Sequence, residues 1–144
     1  MKSRITIAFI FLALTFCFRS EATTPEQEAV DSTRRIEVVD FHSTHRCETC
    51  LAIEANTKYT LETYFNEEMK NGVITLQIIN VDLKENRKIA EKFQAIGSSL
   101  YLNIVKEGNE EQLDLTSFAF LKGRNQDAFS KGLRDRIKEH LNHL

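Results

Sequence analysis

Strand and helix patterns alternate along the chain after residue 33, and this alternation limits the fold more than any other feature of the sequence. The clearest strand, 73–81, is rich in β-branched residues. The predicted order is strand, helix, strand, helix, strand, strand and helix, at 35–41, 47–71, 73–81, 87–93, 100–106, 111–115 and 126–144. About 110 residues in this order form one domain, 34–144, and can cover both faces of a small sheet. The sequence therefore predicts a three-layer α/β fold, with a four-stranded mixed sheet flanked by helices.

The connections between these elements predict the strand directions. Each of the first three strands is linked to the next through a helix, and such crossovers lay the strands parallel or nearly so. The short connection 107–110 makes the fourth strand antiparallel to the third. Residues 117–121 fit either a short helix or an extension of the strand. In the last helix an apolar residue recurs every four positions, which indicates a face packed in the core: Phe129, Leu133, Ile137 and Leu141.

The N-terminal region has the pattern of a secretory signal peptide. Two basic side chains precede an uncharged apolar stretch, 5–18, and the small residues Ser20 and Ala22 occupy the positions that signal peptidase recognises. As a helix this stretch spans about 21 Å, less than the roughly 30 Å hydrocarbon core of a bilayer. We therefore expect residues 1–22 to be removed, with 23–33 as a flexible lead-in to the domain. An uncleaved N-terminal anchor is the alternative.

This pattern predicts export to the periplasm or the extracellular space, without stable membrane insertion after cleavage. A lipid anchor on Cys17 is disfavoured, because Phe16 stands where lipoprotein signals carry a small residue.

Charge and cysteine content restrict the function. The chain has 19 basic and 21 acidic residues, a net charge of −2, which gives no electrostatic footprint for nucleic acid. Of its three cysteines, Cys17 leaves with the signal peptide, so the mature chain keeps Cys47 and Cys50. A disulfide between them closes a very small loop and adds little entropic stabilisation, so chemistry is the better explanation for the pair. No glycine-rich nucleotide loop or flavin signature is present, and we expect no cofactor.

The two cysteines lie at the start of a long predicted helix that follows the first predicted strand. The N-terminus of a helix carries partial positive charge and free N–H groups, which favour a thiolate over a thiol. Cys47 is therefore the expected nucleophile, and Cys50, one turn later, can resolve a mixed disulfide. Arg46 and His45 add positive charge nearby, whereas Glu48 opposes it.

Two other interpretations of these cysteines remain open. A metal-binding or metal-delivery module could use Cys47 and Cys50 together with His42 or His45, although zinc needs four ligands and the chain has no second cysteine pair. We therefore expect no metal. The other interpretation is a non-catalytic interaction domain in which the disulfide has no reaction to perform.

The sequence resembles the thioredoxin superfamily over residues 35–144. The likeness rests on Asp40-Phe41 at the end of a buried strand, on Cys47-x-x-Cys50 at the start of a long helix, and on the order of the elements. It implies a thioredoxin-like fold and a thiol–disulfide oxidoreductase with protein thiol or disulfide substrates and a redox partner protein. It also implies that Asp40 matches the buried acid that assists proton transfer at the second cysteine. A solvated carboxylate at the end of the strand is the alternative for Asp40.

The chain departs from thioredoxins where they carry a cis-proline before the third strand. Here residues 96–100 contain Ser98 and Ser99 and no proline. A cis bond without proline costs about 3 kcal/mol, so we expect a trans peptide, with Ser98 or Ser99 lining the substrate-facing loop.

A narrower resemblance links 41–54 and 97–100 to small exported bacterial thioredoxin-like proteins, some of them labelled as subunits of a nitrophenyl-compound nitroreductase. The sequence offers no independent support for that label. Any nitro reduction would have to draw its electrons through a partner protein.

Overall fold

The computed structural model describes residues 33–144. The predicted signal peptide and almost all of the predicted lead-in lie outside these residues and stay predictions. The strands are β1 Arg34–His42, β2 Ile74–Asn80, β3 Ser99–Lys106 and β4 Asn109–Asp114. The helices are α1 Glu48–Tyr64, α2 Asn66–Lys70, α3 Arg87–Lys92, α4 Thr116–Lys122 and α5 Gln126–Leu141, and one 3₁₀ turn, Lys84–Asn86, precedes α3.

The four strands form one mixed sheet in the order β2-β1-β3-β4. Strand β1 is parallel to β2 and antiparallel to β3, and β3 is antiparallel to β4. One face of the sheet packs on α1, α4 and α5, and the other packs on α3. The predicted class, a three-layer α/β fold with a four-stranded mixed sheet flanked by helices, is confirmed.

The predicted direction of the third strand was wrong. β3 starts beside the end of β1, with Ser99 paired to Phe41, and then runs back along it. The reason is the length of α3, whose six residues rise only about 9 Å, whereas the seven residues of β2 extend about 23 Å. The connection therefore stays at the end of the sheet where β1 and β2 finish. The next strand, β3, must then run antiparallel to its neighbour β1.

The long helix predicted at 47–71 is divided in two. Phe65 has φ −138° and ψ 27°, which is outside helical geometry, and its side chain is 1% exposed. Burial of this ring accompanies the break between α1 and α2. Gly72, with φ 70°, follows the end of α2 and confirms the predicted helix stop.

The C-terminal part of the domain consists of the two helices α4 and α5, and both had been addressed by predictions from the sequence. Residues 117–121 lie in a helix, α4, and not in an extension of β4. On α5 the side chains of Phe129, Leu133 and Ile137 are fully buried, and Leu141 packs against the same core. The four-residue repeat is therefore a core-facing stripe, as predicted.

β1 is the strand that positions the candidate site. Ile36 and Val38 point into the core beneath α1 and α5, while Val39 and Phe41 point into the core beneath α3. All four side chains have no exposed surface, and β1 is bonded to a strand on each side. The segment that follows β1 therefore starts from a fixed point at one end of the sheet.

Among residues 33–144, no helix is long and apolar enough to cross a membrane.

We predict that Leu133→Ala lowers the free energy of unfolding by about 2–5 kcal/mol, because it leaves a cavity between α5 and the sheet. Leu121, 77% exposed on α4, supplies the matched control, and Leu121→Ala should change stability by less than about 0.5 kcal/mol. Denaturant unfolding of the two variants checks this. Equal losses would contradict the assignment of the core.

Candidate active site

Cys47 and Cys50 form a disulfide at the start of α1, with their Cα atoms 5.1 Å apart. Cys47 is the N-cap of the helix: its backbone is extended, and its Sγ accepts a hydrogen bond from the Cys50 N–H at 3.1 Å. The cap places this sulfur at the positive end of the helix dipole, where negative charge on sulfur is favoured.

The two cysteines differ in exposure. The Cys47 residue is exposed, whereas Cys50 is only 8% exposed. In the reduced protein, an external disulfide could therefore reach the first sulfur and not the second. This is the arrangement that the predicted roles of nucleophile and resolving thiol require, although the roles themselves stay predictions.

The sequence suggested that Arg46 adds positive charge beside Cys47, but in the structure this charge is paired. Its Nη1 donates to Glu54 Oε2, and both side chains are only 17% exposed. Its Nη2 lies 3.4 Å from the backbone oxygen of Cys50. Arg46 therefore contacts the second cysteine, and Glu54 neutralises its charge.

Sequence reasoning assigned no role to Glu54. The spacing that could have revealed it is the four-residue step from Cys50 to Glu54 to Lys58, which places the three residues on one face of α1. Lys58 Nζ donates to Glu54 Oε1 at 2.6 Å, so this carboxylate is bonded to two cations. Burial acts to raise the pKa of Glu54, but its hydrogen bonds from Lys58 and Arg46 outweigh burial and lower the pKa below its usual value.

Asp40 lies in the interior, and the alternative of a solvated carboxylate was wrong. The residue is 3% exposed, and its Oδ2 has no hydrogen-bond partner among the described residues. Burial, reinforced by the negative charge of Glu54, raises the pKa of Asp40 to about 7, although Arg46 and Lys58 act in the opposite direction. This carboxyl group therefore exchanges its proton close to neutral pH.

Glu48 and the two histidines lie on the outer side of the site. Glu48 pairs with Arg124 at 3.2 Å, and both side chains are largely exposed. His42 Nδ1 lies 3.0 Å from the backbone oxygen of Ser43, and His45 is exposed. Within 33–144, no three His, Cys, Asp or Glu side chains are grouped so that they could hold a metal ion.

The loop with Ser98 and Ser99 lies at the end of the sheet where β1 finishes, the end from which the segment to Cys47 begins. Ser99 is paired with Phe41, and a Cβ added at Gly97 would lie 3.8 Å from Ser43 Oγ, in the segment that leads to Cys47. Both serines line a cavity of about 220 Å³. Peptide bonds in the described part of the chain are all trans, as predicted for this loop.

The sheet has the order β2-β1-β3-β4 with only β1 and β2 parallel, and a Cys-x-x-Cys disulfide begins the helix that follows the central strand. The fold is thioredoxin-like. Thioredoxin-like domains serve many functions, so the function has to be argued from the site.

Comparisons with known proteins returned solved structures alone. No family model matches the chain, and no curated protein matches it. The chain is similar to a thioredoxin from Fasciola hepatica, with 20% identity, a TM-score of 0.47, and coverage of 76% of this chain and 84% of that one. It is also similar to the oxidised form of mitochondrial thioredoxin 3 from Saccharomyces cerevisiae, with 20% identity, a TM-score of 0.44, and coverage of 72% and 81%. A third structure, described as a malarial protein, has 18% identity, a TM-score of 0.39, and coverage of 61% and 94%.

None of these structures bears on the narrower resemblance to nitroreductase-labelled proteins. That resemblance is not confirmed.

We predict that Asp40→Asn stabilises the protein at neutral and alkaline pH. Between about pH 4 and pH 7 the folded protein keeps a proton on Asp40 that the unfolded chain has released, so the stability of the parent protein falls as the pH rises through this range. Asparagine removes this loss, and the variant should gain up to about 4 kcal/mol at pH 8 and nothing below pH 4.

Urea unfolding at a series of pH values measures this difference. Asp82→Asn replaces an exposed carboxylate that accepts a hydrogen bond from the Thr44 N–H, and it should not be stabilising at any pH. A difference between Asp40→Asn and the parent protein that does not vary with pH would contradict the raised pKa of Asp40.

Proposed function

We propose that this protein is an exported thiol–disulfide oxidoreductase that acts on protein partners, with Cys47 as nucleophile and Cys50 as resolving thiol. The observation that carries the proposal is the unequal exposure of the two bonded sulfurs at a helix N-terminus, with Cys47 exposed and Cys50 buried. A disulfide that served only to brace the fold would gain nothing from presenting one cysteine to solvent.

Exchange with a partner disulfide balances in two steps. The Cys47 thiolate attacks one sulfur of the partner's disulfide, which forms a mixed disulfide and releases the other partner sulfur as a thiolate. Cys50 then loses its proton to a base and attacks the Cys47 sulfur, so that the Cys47–Cys50 disulfide forms and the second partner sulfur leaves as a thiolate. Two electrons have then passed from this protein to the partner.

The reverse sequence passes two electrons from a partner dithiol into the Cys47–Cys50 disulfide. In either direction a second redox partner protein, itself a dithiol or a disulfide, restores the starting state. The direction is set by the reduction potential of the Cys47–Cys50 pair relative to its partners.

Asp40 is the base that this proposal assigns to Cys50. It is buried, it exchanges its proton near pH 7, and it is within electrostatic reach of Arg46, which contacts the Cys50 backbone. A group with this proton affinity can take a proton from the thiol at neutral pH and return it to solvent afterwards.

A polypeptide substrate is favoured by two exposed apolar side chains, one in the loop before Ser98 and one next to Cys50. Ile96 is 99% exposed in the loop that leads to Ser98 and Ser99, and Leu51, 52% exposed, follows Cys50. Exposed apolar side chains in these two segments suit a partner chain better than a small hydrophilic thiol. Ser98 and Ser99 are the proposed substrate-facing residues.

Export is the second part of the proposal, and it rests on the signal-peptide pattern of residues 1–22. It places the disulfide in an oxidising compartment, the periplasm or the extracellular space.

We predict that Cys50→Ser traps partners and that Cys47→Ser does not. Without Cys50 a mixed disulfide on Cys47 cannot be resolved, so covalent adducts with partner proteins should accumulate and disappear on treatment with dithiothreitol. Non-reducing electrophoresis of protein recovered from the exported fraction detects them. Neither variant should unfold, because the disulfide loop is short and adds little stability.

Adducts on Cys47→Ser in place of Cys50→Ser would contradict the assigned roles. Absence of adducts on both variants, with the folded state intact, would support a non-catalytic interaction domain instead.

A further inference from the structure

Four ionisable side chains, those of Asp40, Arg46, Glu54 and Lys58, interact with one another near Cys50, and the exchange reaction explains them only in part. Glu54, one turn after Cys50 on α1, accepts hydrogen bonds from Arg46 and from Lys58. Arg46 and Glu54 are mostly buried, whereas Lys58 is 44% exposed. Glu54 is thus fixed between two cations, and its negative charge acts on Asp40.

The cluster contains a donor and an acceptor that are both buried and unpaired. Arg46 Nε and Asp40 Oδ2 have no hydrogen-bond partner among residues 33–144. A buried polar group without a partner costs free energy, and its presence calls for a physical explanation. In the oxidised protein both sulfurs are neutral; after reduction, a negative charge appears at Cys50 when its thiol loses its proton, and Arg46 already contacts the Cys50 backbone.

Three charges act on Asp40. Glu54 is negative and Arg46 and Lys58 are positive; two of them come from α1 and one from the segment before it. On the neighbouring strands the residues paired with Asp40 are uncharged, Ile78 on β2 and Leu100 on β3. The proton affinity of Asp40 is therefore set by its burial and by the balance of these three charges.

We propose that Glu54 is a positioning residue for the proton transfer from Cys50 to Asp40: it fixes a negative charge beside Asp40 and holds the Arg46 guanidinium against Cys50. This inference rests on the function proposed above. In the step concerned, the Cys50 thiol gives its proton to the Asp40 carboxylate, which leaves a Cys50 thiolate and a neutral Asp40. Glu54 makes Asp40 the stronger base, and Arg46 keeps the new thiolate beside a positive charge.

The two members of the ion pair should have opposite effects on Asp40, and this separates the proposal from a merely structural role. Loss of the Glu54 charge removes a negative neighbour and leaves Arg46 and Lys58 unneutralised, and both changes favour the ionised form of Asp40. Loss of either cation favours the protonated form. If the ion pair only stabilised α1, all these variants would have the same effect on the ionisation of Asp40.

The first measurement follows the titration of the Asp40 carboxyl carbon by NMR in the oxidised protein, where no partner or turnover is needed. Glu54→Gln should move the midpoint down by about 1 pH unit, and Arg46→Gln and Lys58→Met should move it up. Lys58 is the most exposed of the three, so Lys58→Met keeps the test valid if Arg46→Gln fails to fold. The matched controls are Glu67→Gln and Lys70→Met, which break an exposed ion pair on α2 and should leave the midpoint unchanged.

The second measurement follows Cys50 itself. A mixed disulfide between Cys47 and thionitrobenzoate is prepared, and the release of the coloured thiolate reports the attack of Cys50 on Cys47. The inflection of the release rate with pH should shift with the Asp40 midpoint, downward in Glu54→Gln and upward in Lys58→Met.

The two failures can be told apart. No release from the parent protein would overturn the proposed function, and this inference with it. Release with an inflection that stays fixed in Glu54→Gln, or that moves in the same direction in Glu54→Gln and Lys58→Met, would overturn the role of Glu54 alone.

Discussion

Burial of the apolar side chains of the central strand is the constraint on which the rest of the structure depends. β1 lies between β2 and β3, and its side chains fill the cores on both faces of the sheet. Apolar burial on this scale fixes the end of the strand, and therefore the start of α1 and the two cysteines. The same burial places one carboxyl group, Asp40, in surroundings that oppose its charge. The stability of the fold and the reactivity of the site thus come from the same strand.

The charges near the disulfide are nearly balanced, and this has a chemical consequence. Arg46 and Lys58 are both bonded to Glu54, and Glu48 is paired with Arg124. The main local preference for a Cys47 thiolate therefore comes from the helix N-terminus and its N–H groups. The side-chain charges act mostly around the buried cysteine and Asp40, on proton transfer.

Much of the fold could be predicted from the sequence because it depends on local patterns. The strand and helix order, the apolar stripe of α5, the stop at Gly72 and the position of Cys47-x-x-Cys50 all follow from spacing and residue type. The direction of β3 could not be predicted, because it depends on how far the short α3 reaches relative to β2. The break at Phe65 was also missed, since the apolar pattern on its two sides is continuous.

The site was predictable to a smaller extent. The cysteines and the burial of Asp40 were accessible through the motif and the resemblance, but the partner of Arg46 was not. Arg46 precedes the helix and Glu54 lies within it, so their contact depends on how the segment before α1 folds back. The four-residue spacing of Cys50, Glu54 and Lys58 gave a signal for their shared face, and no pattern linked that face to Asp40.

The most direct test of the account is the reduction potential of the Cys47–Cys50 pair, measured by equilibrating the purified protein with glutathione or dithiothreitol buffers and counting the trapped thiols. We predict a reversible two-electron couple between about −270 and −120 mV, the range of catalytic pairs of this kind. A value near the lower end would mark a reductant, and a value near the upper end would mark a disulfide donor. A potential below about −300 mV, typical of structural disulfides, or a pair that never forms a disulfide in any buffer, would contradict the account.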